Sequence, residues 1–165
     1  MKTVTKWLAA AALLCVTAGG VQAQDVVLPD QGTTEYNLSG NIILDPENSW
    51  AINGLWAPFV SPNLQWGIGI GLFDTGAPGS ETSGTVRLLG NWHFVPTGDS
   101  RTVPYVGAGI GFGFGGSDGV VWDLHGGLKF FLTSETSFNI ELQFVMPDEG
   151  DNITQILFGI SVYRR

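Results

Sequence analysis

Apolar and polar side chains alternate with a period of two through most of the chain after residue 33. The segment 136–146 shows the pattern most clearly. Its apolar positions are Phe138, Ile140, Leu142, Phe144 and Met146, and its other face carries Ser137, Asn139, Glu141, Gln143 and Val145. An α-helix repeats its apolar positions every three or four residues, so this period predicts a β-strand with one apolar face.

The same period recurs along the chain and predicts eight strands. They are 34–44, 49–59, 64–73, 84–95, 104–115, 120–132, 136–146 and 152–163. Segments with the Gly, Pro, Asn, Asp and Ser content typical of turns separate them, at 45–48, 61–63, 74–83, 96–103, 116–119, 133–137 and 147–151. An even number of strands of about ten residues each fits tilted strands that cross a bilayer.

The polar face of these strands is mostly Gly, Ser, Asn and Gln, and it carries few charges. Such a face suits the crowded interior of a small barrel, and closure removes the unpaired edges that lipid penalises. We therefore predict an all-β fold, a closed eight-stranded antiparallel up-and-down transmembrane β-barrel over residues 24–165. The alternative is a soluble, lipocalin-like periplasmic binder, whose exposed face would normally carry many Lys, Arg and Glu.

Composition supports a membrane barrel more than a soluble acidic domain. The net charge is −8 and the mean hydropathy is +0.18, yet charged residues make up only 13% of the chain, which holds 24 Gly. Residues 48–73 carry no charge, while their Pro, Gly and Asn disfavour a helix. An acidic chain is also a poor partner for nucleic acid, so none is expected.

The first residues have the pattern of a secretory signal peptide. Lys2 and Lys6 precede the short apolar run 8–16, and the small-x-small sequence 21–23 is typical of a cleavage site. We predict a cleaved signal over residues 1–23.

The one cysteine, Cys15, lies inside this predicted signal. Leu14 stands where a lipoprotein signal would place a small residue, which argues against lipid attachment. Residues 24–165 therefore offer no thiol for a disulfide or a thiolate metal site.

Aromatic residues fall near both ends of the predicted strands. With both termini in the periplasm, odd-numbered strands run outward. Four aromatics then lie toward the periplasmic end, namely Trp56, Trp66, Trp92 and Phe94. Four others lie toward the outer end, namely Trp50, Phe112, Phe114 and Trp122. Two aromatic belts are what the two membrane interfaces favour.

Charged residues at inward positions predict a lumenal polar network, because a buried charge without a partner is costly. Its members are Glu35, Arg87, His93, Asp123, His125, Lys129 and Glu141. If Leu132 pairs with Phe138 across the tight turn, Lys129 faces Glu141, so we predict that ion pair. A narrow gated pore is the functional alternative, although eight strands leave room only for side chains or one small ligand.

Three stretches, 104–111, 131–137 and 158–163, carry a family resemblance. They resemble the fifth strand, the tight turn between strands six and seven, and the last strand of the outer-membrane β-barrel family that includes the OmpA transmembrane domain. This resemblance implies a monomer in the outer membrane of a Gram-negative envelope, in contact with lipid, lipopolysaccharide and the barrel-assembly machinery. Members usually end on an aromatic residue, whereas Tyr163 is followed here by two arginines, at 164–165.

Some members of the wider group are lipid A deacylases or related acyl hydrolases. The resemblance would place their catalytic His and Ser, two residues apart, on the strand 137–146, which contains no histidine. His93 and His125 lie on other predicted strands, and no motif sets either beside a serine. We therefore expect no enzyme activity, no catalytic residue and no cofactor, and keep a barrel-type acyl hydrolase for lipid A or phospholipid as the alternative.

Two further patterns resemble binding sites. Acidic residues cluster in the predicted outer loops, at Asp45, Glu47, Asp74, Glu81, Asp118, Asp148, Glu149 and Asp151. They suit divalent cations, but loop carboxylates more often only solvate a loop tip, so no metal site is assigned. The run 111–116 matches G-x-G-x-x-G, but a strand rather than a helix is predicted after it. The function favoured is a non-enzymatic outer-membrane barrel that contributes to envelope structure or surface interaction.

Overall fold

The computed structural model describes residues 29–43, 49–74, 76, 79, 81–96, 100–115, 118–148 and 152–165. The predicted signal peptide lies outside these residues. The described part forms eight strands: β1 Thr34–Ile43, β2 Ser49–Pro58, β3 Leu64–Asp74, β4 Ser83–His93, β5 Thr102–Phe114, β6 Gly119–Thr133, β7 Thr136–Pro147 and β8 Ile153–Arg164. Each predicted strand is confirmed, with ends that differ by two residues at most.

Every strand pairs antiparallel with the next one, and β8 pairs with β1, so the sheet closes into a barrel. We call the end that holds Thr34 and Arg164 the terminal end. The opposite end, where β1 joins β2 and β7 joins β8, is the loop end. Within the described residues, no helix has the length and hydropathy needed to span a membrane.

The alternation predicted from sequence sets the two faces of the wall. Along β3, Gln65 and the glycines that follow it at every second position are buried, while Trp66, Ile68 and Ile70 are exposed. The exposed wall is apolar in all eight strands, and Leu38 and Phe112 are 65% and 69% exposed. A soluble fold buries such residues, so this barrel has its apolar surface outside and its polar surface inside.

The terminal end of the interior is closed by an apolar cluster. Phe59, Val103, Phe131 and Tyr163 are buried together there. The rings of Phe131 and Tyr163 stack with centroids 5.2 Å apart. Their packing seals this end of the barrel below the polar network.

Candidate functional site: the barrel interior

A continuous chain of side-chain contacts runs through the interior from the middle of the barrel toward the terminal end. Arg87 Nη1 donates to Asp123 Oδ2 at 2.8 Å, and Asp123 Oδ1 contacts His125 Nδ1 at 2.6 Å. On its other side, His125 Nε2 lies 2.6 Å from Asn91 Oδ1. The chain thereby links β4 to β6 and back to β4.

Two amides carry the chain onward to β1. Asn91 Nδ2 donates to Gln65 Oε1 at 2.9 Å, and Gln65 Nε2 donates to Glu35 Oε2 at 2.7 Å. Because Asn91 uses its Nδ2 as a donor to Gln65, its Oδ1 is the atom that faces His125. Each ring nitrogen of His125 therefore has a side-chain oxygen within hydrogen-bond distance, Asp123 Oδ1 on one side and Asn91 Oδ1 on the other.

Lys129 forms its ion pair with Glu35. Both side chains are almost fully buried, and Lys129 Nζ also lies 4.8 Å from the ring centroid of Tyr105. Ser161 Oγ donates to the second carboxylate oxygen of Glu35 at 2.5 Å. The Glu35 carboxylate is therefore held by β6, β3 and β8 together.

The predicted Lys129–Glu141 ion pair is wrong. Phe130, not Leu132, pairs with Phe138, so Lys129 stands opposite Asn139. The sequence interpretation made the β6–β7 turn too long, whereas Thr133 pairs with Thr136 around a two-residue turn with a bulge before it. The register therefore differs by two residues, which keeps every side chain on its predicted face but changes its neighbour.

Glu141 instead accepts a hydrogen bond from the Tyr105 hydroxyl at 2.6 Å. It is half-buried, whereas the six other charged or titratable residues predicted for the interior are buried.

His93 belongs to the interior but not to the hydrogen-bonded chain. Its ring lies between Phe59 and Tyr105, with centroids 5.0 Å and 5.6 Å away. Neither ring nitrogen has a hydrogen-bond partner within the described residues. His93 therefore acts as part of the packed aromatic layer above the terminal cluster.

Sequence reasoning missed the uncharged members of the network. Gln65 and Asn91 complete the chain described above, and Asn139 Nδ2 donates to Ser161 Oγ at 2.6 Å. Ser137 donates to Asn139 Oδ1 at 2.8 Å. All of them occupy inward positions of the alternating pattern, so a polar residue at an inward position was the available signal.

Inward glycines make room for these side chains. A Cβ at Gly107 would lie 2.2 Å from Asn91 Oδ1 and 2.3 Å from His125 Nε2. A Cβ at Gly111 would lie 2.7 Å from Arg87 Cγ and 2.0 Å from a backbone oxygen. The strand that matches G-x-G-x-x-G thus uses its glycines to admit neighbouring side chains.

Two interior cavities lined by described residues meet at Arg87, Asn53 and Gln143, which line both. The central cavity, beside Lys129 and Glu141, is about 40 Å³. The larger one, about 230 Å³, lies toward the loop end. At that boundary, Arg87 Nη2 donates to Asn53 Oδ1 at 3.0 Å.

The eight aromatics predicted for the interfaces lie on outward positions at the two ends of the wall. Trp50 is half-buried, and the other seven are exposed. Of the loop carboxylates, residues 45, 47, 149 and 151 lie outside the described residues. Among the residues described, no three His, Cys, Asp or Glu side chains are grouped as metal ligands would be.

No family model matches the sequence, and no curated protein matches it. Solved structures do share its architecture. The N-terminal β-barrel domain of Pseudomonas aeruginosa OprF aligns with a TM-score of 0.63 at 16% identity, over 82% of this chain and 100% of that one. The chain has the fold of an eight-stranded transmembrane β-barrel.

Two further structures with this transmembrane barrel fold align over similar lengths. Neisserial surface protein A gives a TM-score of 0.61 at 12% identity, covering 79% of this chain and 94% of that one. A de novo designed transmembrane β-barrel gives 0.61 at 16% identity, covering 84% and 100%. A designed sequence reaching the same likeness shows that this similarity reflects architecture and carries no function by itself.

Proposed function

We propose that the chain is an integral, monomeric outer-membrane protein that contributes to envelope structure or surface interaction without catalysing a reaction. The observation that carries this proposal is the distribution of polar and apolar side chains, which is the inverse of that in a soluble protein. Ion pairs and amides fill the interior, while Leu, Ile, Val, Phe and Trp cover the outside. Lipid is the environment in which such a wall is stable.

We orient the barrel with both termini, and so the terminal end, toward the periplasm, and the aromatics at its two ends support a barrel that spans the membrane. Outward Trp and Phe side chains occur near both ends of the strands, as two interface belts would require. The loop end would then face the cell exterior and contact lipopolysaccharide, and Tyr163 would lie at the end read by the barrel-assembly machinery. Arg164 and Arg165 lie beside Glu135 and Asp30 respectively, at 3.7 Å and 2.8 Å, at that same end.

Two features support a non-enzymatic role. Strand β7 carries no histidine, and His125 directs its two nitrogens to Asp123 and Asn91 rather than to a hydroxyl. Mass analysis of lipid A and phospholipid, from cells with and without the protein, tests this part. Unchanged acyl composition is expected, and loss of an acyl chain would favour the hydrolase alternative.

Fractionation of cells that express the full chain tests the location. We expect the protein in the outer-membrane fraction, with faster gel migration before boiling than after it, since a closed barrel resists detergent unfolding. A chain lacking residues 2–23 is the control and should not reach that fraction. Recovery of the exported protein as a detergent-free soluble monomer would instead support the lipocalin-like alternative.

A further inference from the structure

The larger cavity, which we call the vestibule, has two tiers of lining residues at the loop end. The tier nearer the loops contains the apolar side chains of Ala51, Phe73, Val145 and Ile153, which we call the collar, with Ser49 and Asp74 at its loop-end edge. The deeper tier is a polar floor of Asn53, Thr85, Arg87, Gln143 and Gln155. A polar floor beneath an apolar collar matches a molecule with a polar head and an apolar chain.

The floor has more hydrogen-bond donors than acceptors. Arg87 uses Nη1 on Asp123 and Nη2 on Asn53 Oδ1. Arg87 Nε and Asn53 Nδ2 remain buried donors without a hydrogen-bond partner among the described residues. Because a buried donor without an acceptor is unfavourable, the head that suits this floor brings acceptor oxygens.

Charge favours an uncharged head over an anion. The guanidinium of Arg87 is already paired with Asp123, and Asp74 is also among the lining residues. An anionic head placed here would lie near the carboxylates of Asp123 and Asp74, and Asp123 already occupies Arg87 Nη1. Ester, hydroxyl, amide or sugar oxygens meet the donors without placing a negative charge beside those carboxylates.

The wall beside the vestibule is incompletely paired. The β1–β8 ladder ends at Gly40 and Phe158. Yet β1 stays paired with β2 as far as Ile43, and β8 stays paired with β7 as far as Ile153. The two strands thus run on past the end of their own ladder, which leaves a seam between them at the loop end.

The vestibule reaches the inner side of this seam. Asn41 Nδ2 donates to Gln155 Oε1 across it at 3.2 Å, and both residues line the vestibule. The outer surface beside the seam is apolar, with Leu38, Ile156 and Phe158 exposed. A hydrocarbon chain that left the vestibule through the seam would pass from the polar floor to the apolar outer wall.

We propose that the vestibule binds a neutral amphiphile, a single hydrocarbon chain with an uncharged oxygen-bearing head. The head accepts hydrogen bonds from the floor, and the chain leaves between β1 and β8 into the bilayer. This inference rests on the membrane insertion proposed above.

The test uses the mature barrel in phospholipid nanodiscs, with NMR resonances of the Asn53, Gln143 and Gln155 side-chain amides as the readout. Monolaurin, which has a neutral glycerol ester head, is expected to shift these resonances saturably. Laurate, with the same chain length and an anionic head, is expected to shift them less at equal concentration. Equal or larger shifts with laurate would overturn the assignment of a neutral head.

Filling the vestibule tests the site. Ala51→Phe puts a ring into the collar and is expected to abolish the monolaurin shifts, as is Val145→Phe. Ile52→Phe is the matched control, because Ile52 is the next residue and is exposed on the outer wall. Saturable shifts that persist in both filled variants would place the binding elsewhere and overturn the proposal.

A disulfide across the seam tests the route of the chain. In Asn41→Cys/Leu157→Cys, oxidation is expected to remove the monolaurin shifts and reduction to restore them. Undiminished shifts in the oxidised form would overturn the seam as the exit. If the unsubstituted barrel shows heat-modifiable migration but neither monolaurin nor laurate shifts any resonance, this inference fails and the proposed function stands. If the unsubstituted barrel shows no heat-modifiable migration, the proposed function itself is contradicted.

Discussion

At the scale of residues, stability of the interior depends on how each buried charge is paired. Glu35 accepts from Lys129, Gln65 and Ser161. Glu141 has the Tyr105 hydroxyl as its donor instead. Removing one member of a buried pair leaves the other charge uncompensated, which costs more than removing both.

A double-mutant cycle in lipid vesicles checks this pairing. Lys129→Met is expected to lower the free energy of unfolding by about 3–5 kcal/mol, and Lys129→Met/Glu35→Gln to recover much of it. The coupling energy of Lys129 with Glu35, from urea unfolding, should exceed its coupling with Glu141 in the matched Glu141→Gln cycle. Equal or larger coupling to Glu141 would contradict the ion pair described here.

The inward glycines make a second prediction at this scale. Gly107→Ala is expected to lower the free energy of unfolding by about 1–3 kcal/mol, because its methyl group collides with the His125–Asn91 contact. Gly90→Ala is the control, since a Cβ there meets nothing within 4 Å, and should change the value by less than about 0.5 kcal/mol. Urea titration measures both, and similar effects would rule out the steric explanation.

At the scale of elements, each strand has one face for the interior and one for the surroundings. Period two assigns these faces unambiguously, because successive side chains point to opposite sides of a sheet. Polar positions in β3 and β4, such as Gln65 and Asn91, therefore belong to the same network as the charges. The strand pattern alone predicts which side chains share the interior but not which atoms meet.

A charge on the outer face of one strand tests what surrounds the barrel. Leu88, in the middle of β4, is 57% exposed. In lipid, Leu88→Arg is expected to lower the free energy of unfolding by about 2–4 kcal/mol, because a cation near the bilayer midplane is costly. Ser134→Arg in the exposed β6–β7 turn is the control and should have little effect. If Leu88→Arg is equally neutral, the wall does not face hydrocarbon.

At the scale of the whole molecule, the interior is sealed in two layers. The polar chain fills the middle, and the cluster of Phe59, Val103, Phe131 and Tyr163 packs at the terminal end. Of the two interior cavities described above, the vestibule, toward the loop end, is the one with room for more than a few water molecules. The barrel is therefore shaped as a cup rather than a pore.

Liposome swelling checks this cup. Vesicles containing the mature barrel are expected to swell in arabinose no faster than protein-free vesicles, because described side chains fill the interior at the Arg87–Asn53 contact and at the terminal cluster. Vesicles with a large porin provide the positive control. Swelling above the protein-free rate would support the gated pore that the sequence left as an alternative.

The sequence by itself determined the eight strands and the face that each side chain occupies. It did so because alternation is a local property, read within one strand. Only the tertiary structure decided the partners. Lys129 and Glu35 are 94 positions apart and meet through barrel closure, and the two-residue turn after Thr133 sets which neighbour faces Lys129. A slip of two residues leaves the alternating pattern unchanged, so the pattern cannot decide whether Asn139 or Glu141 faces Lys129.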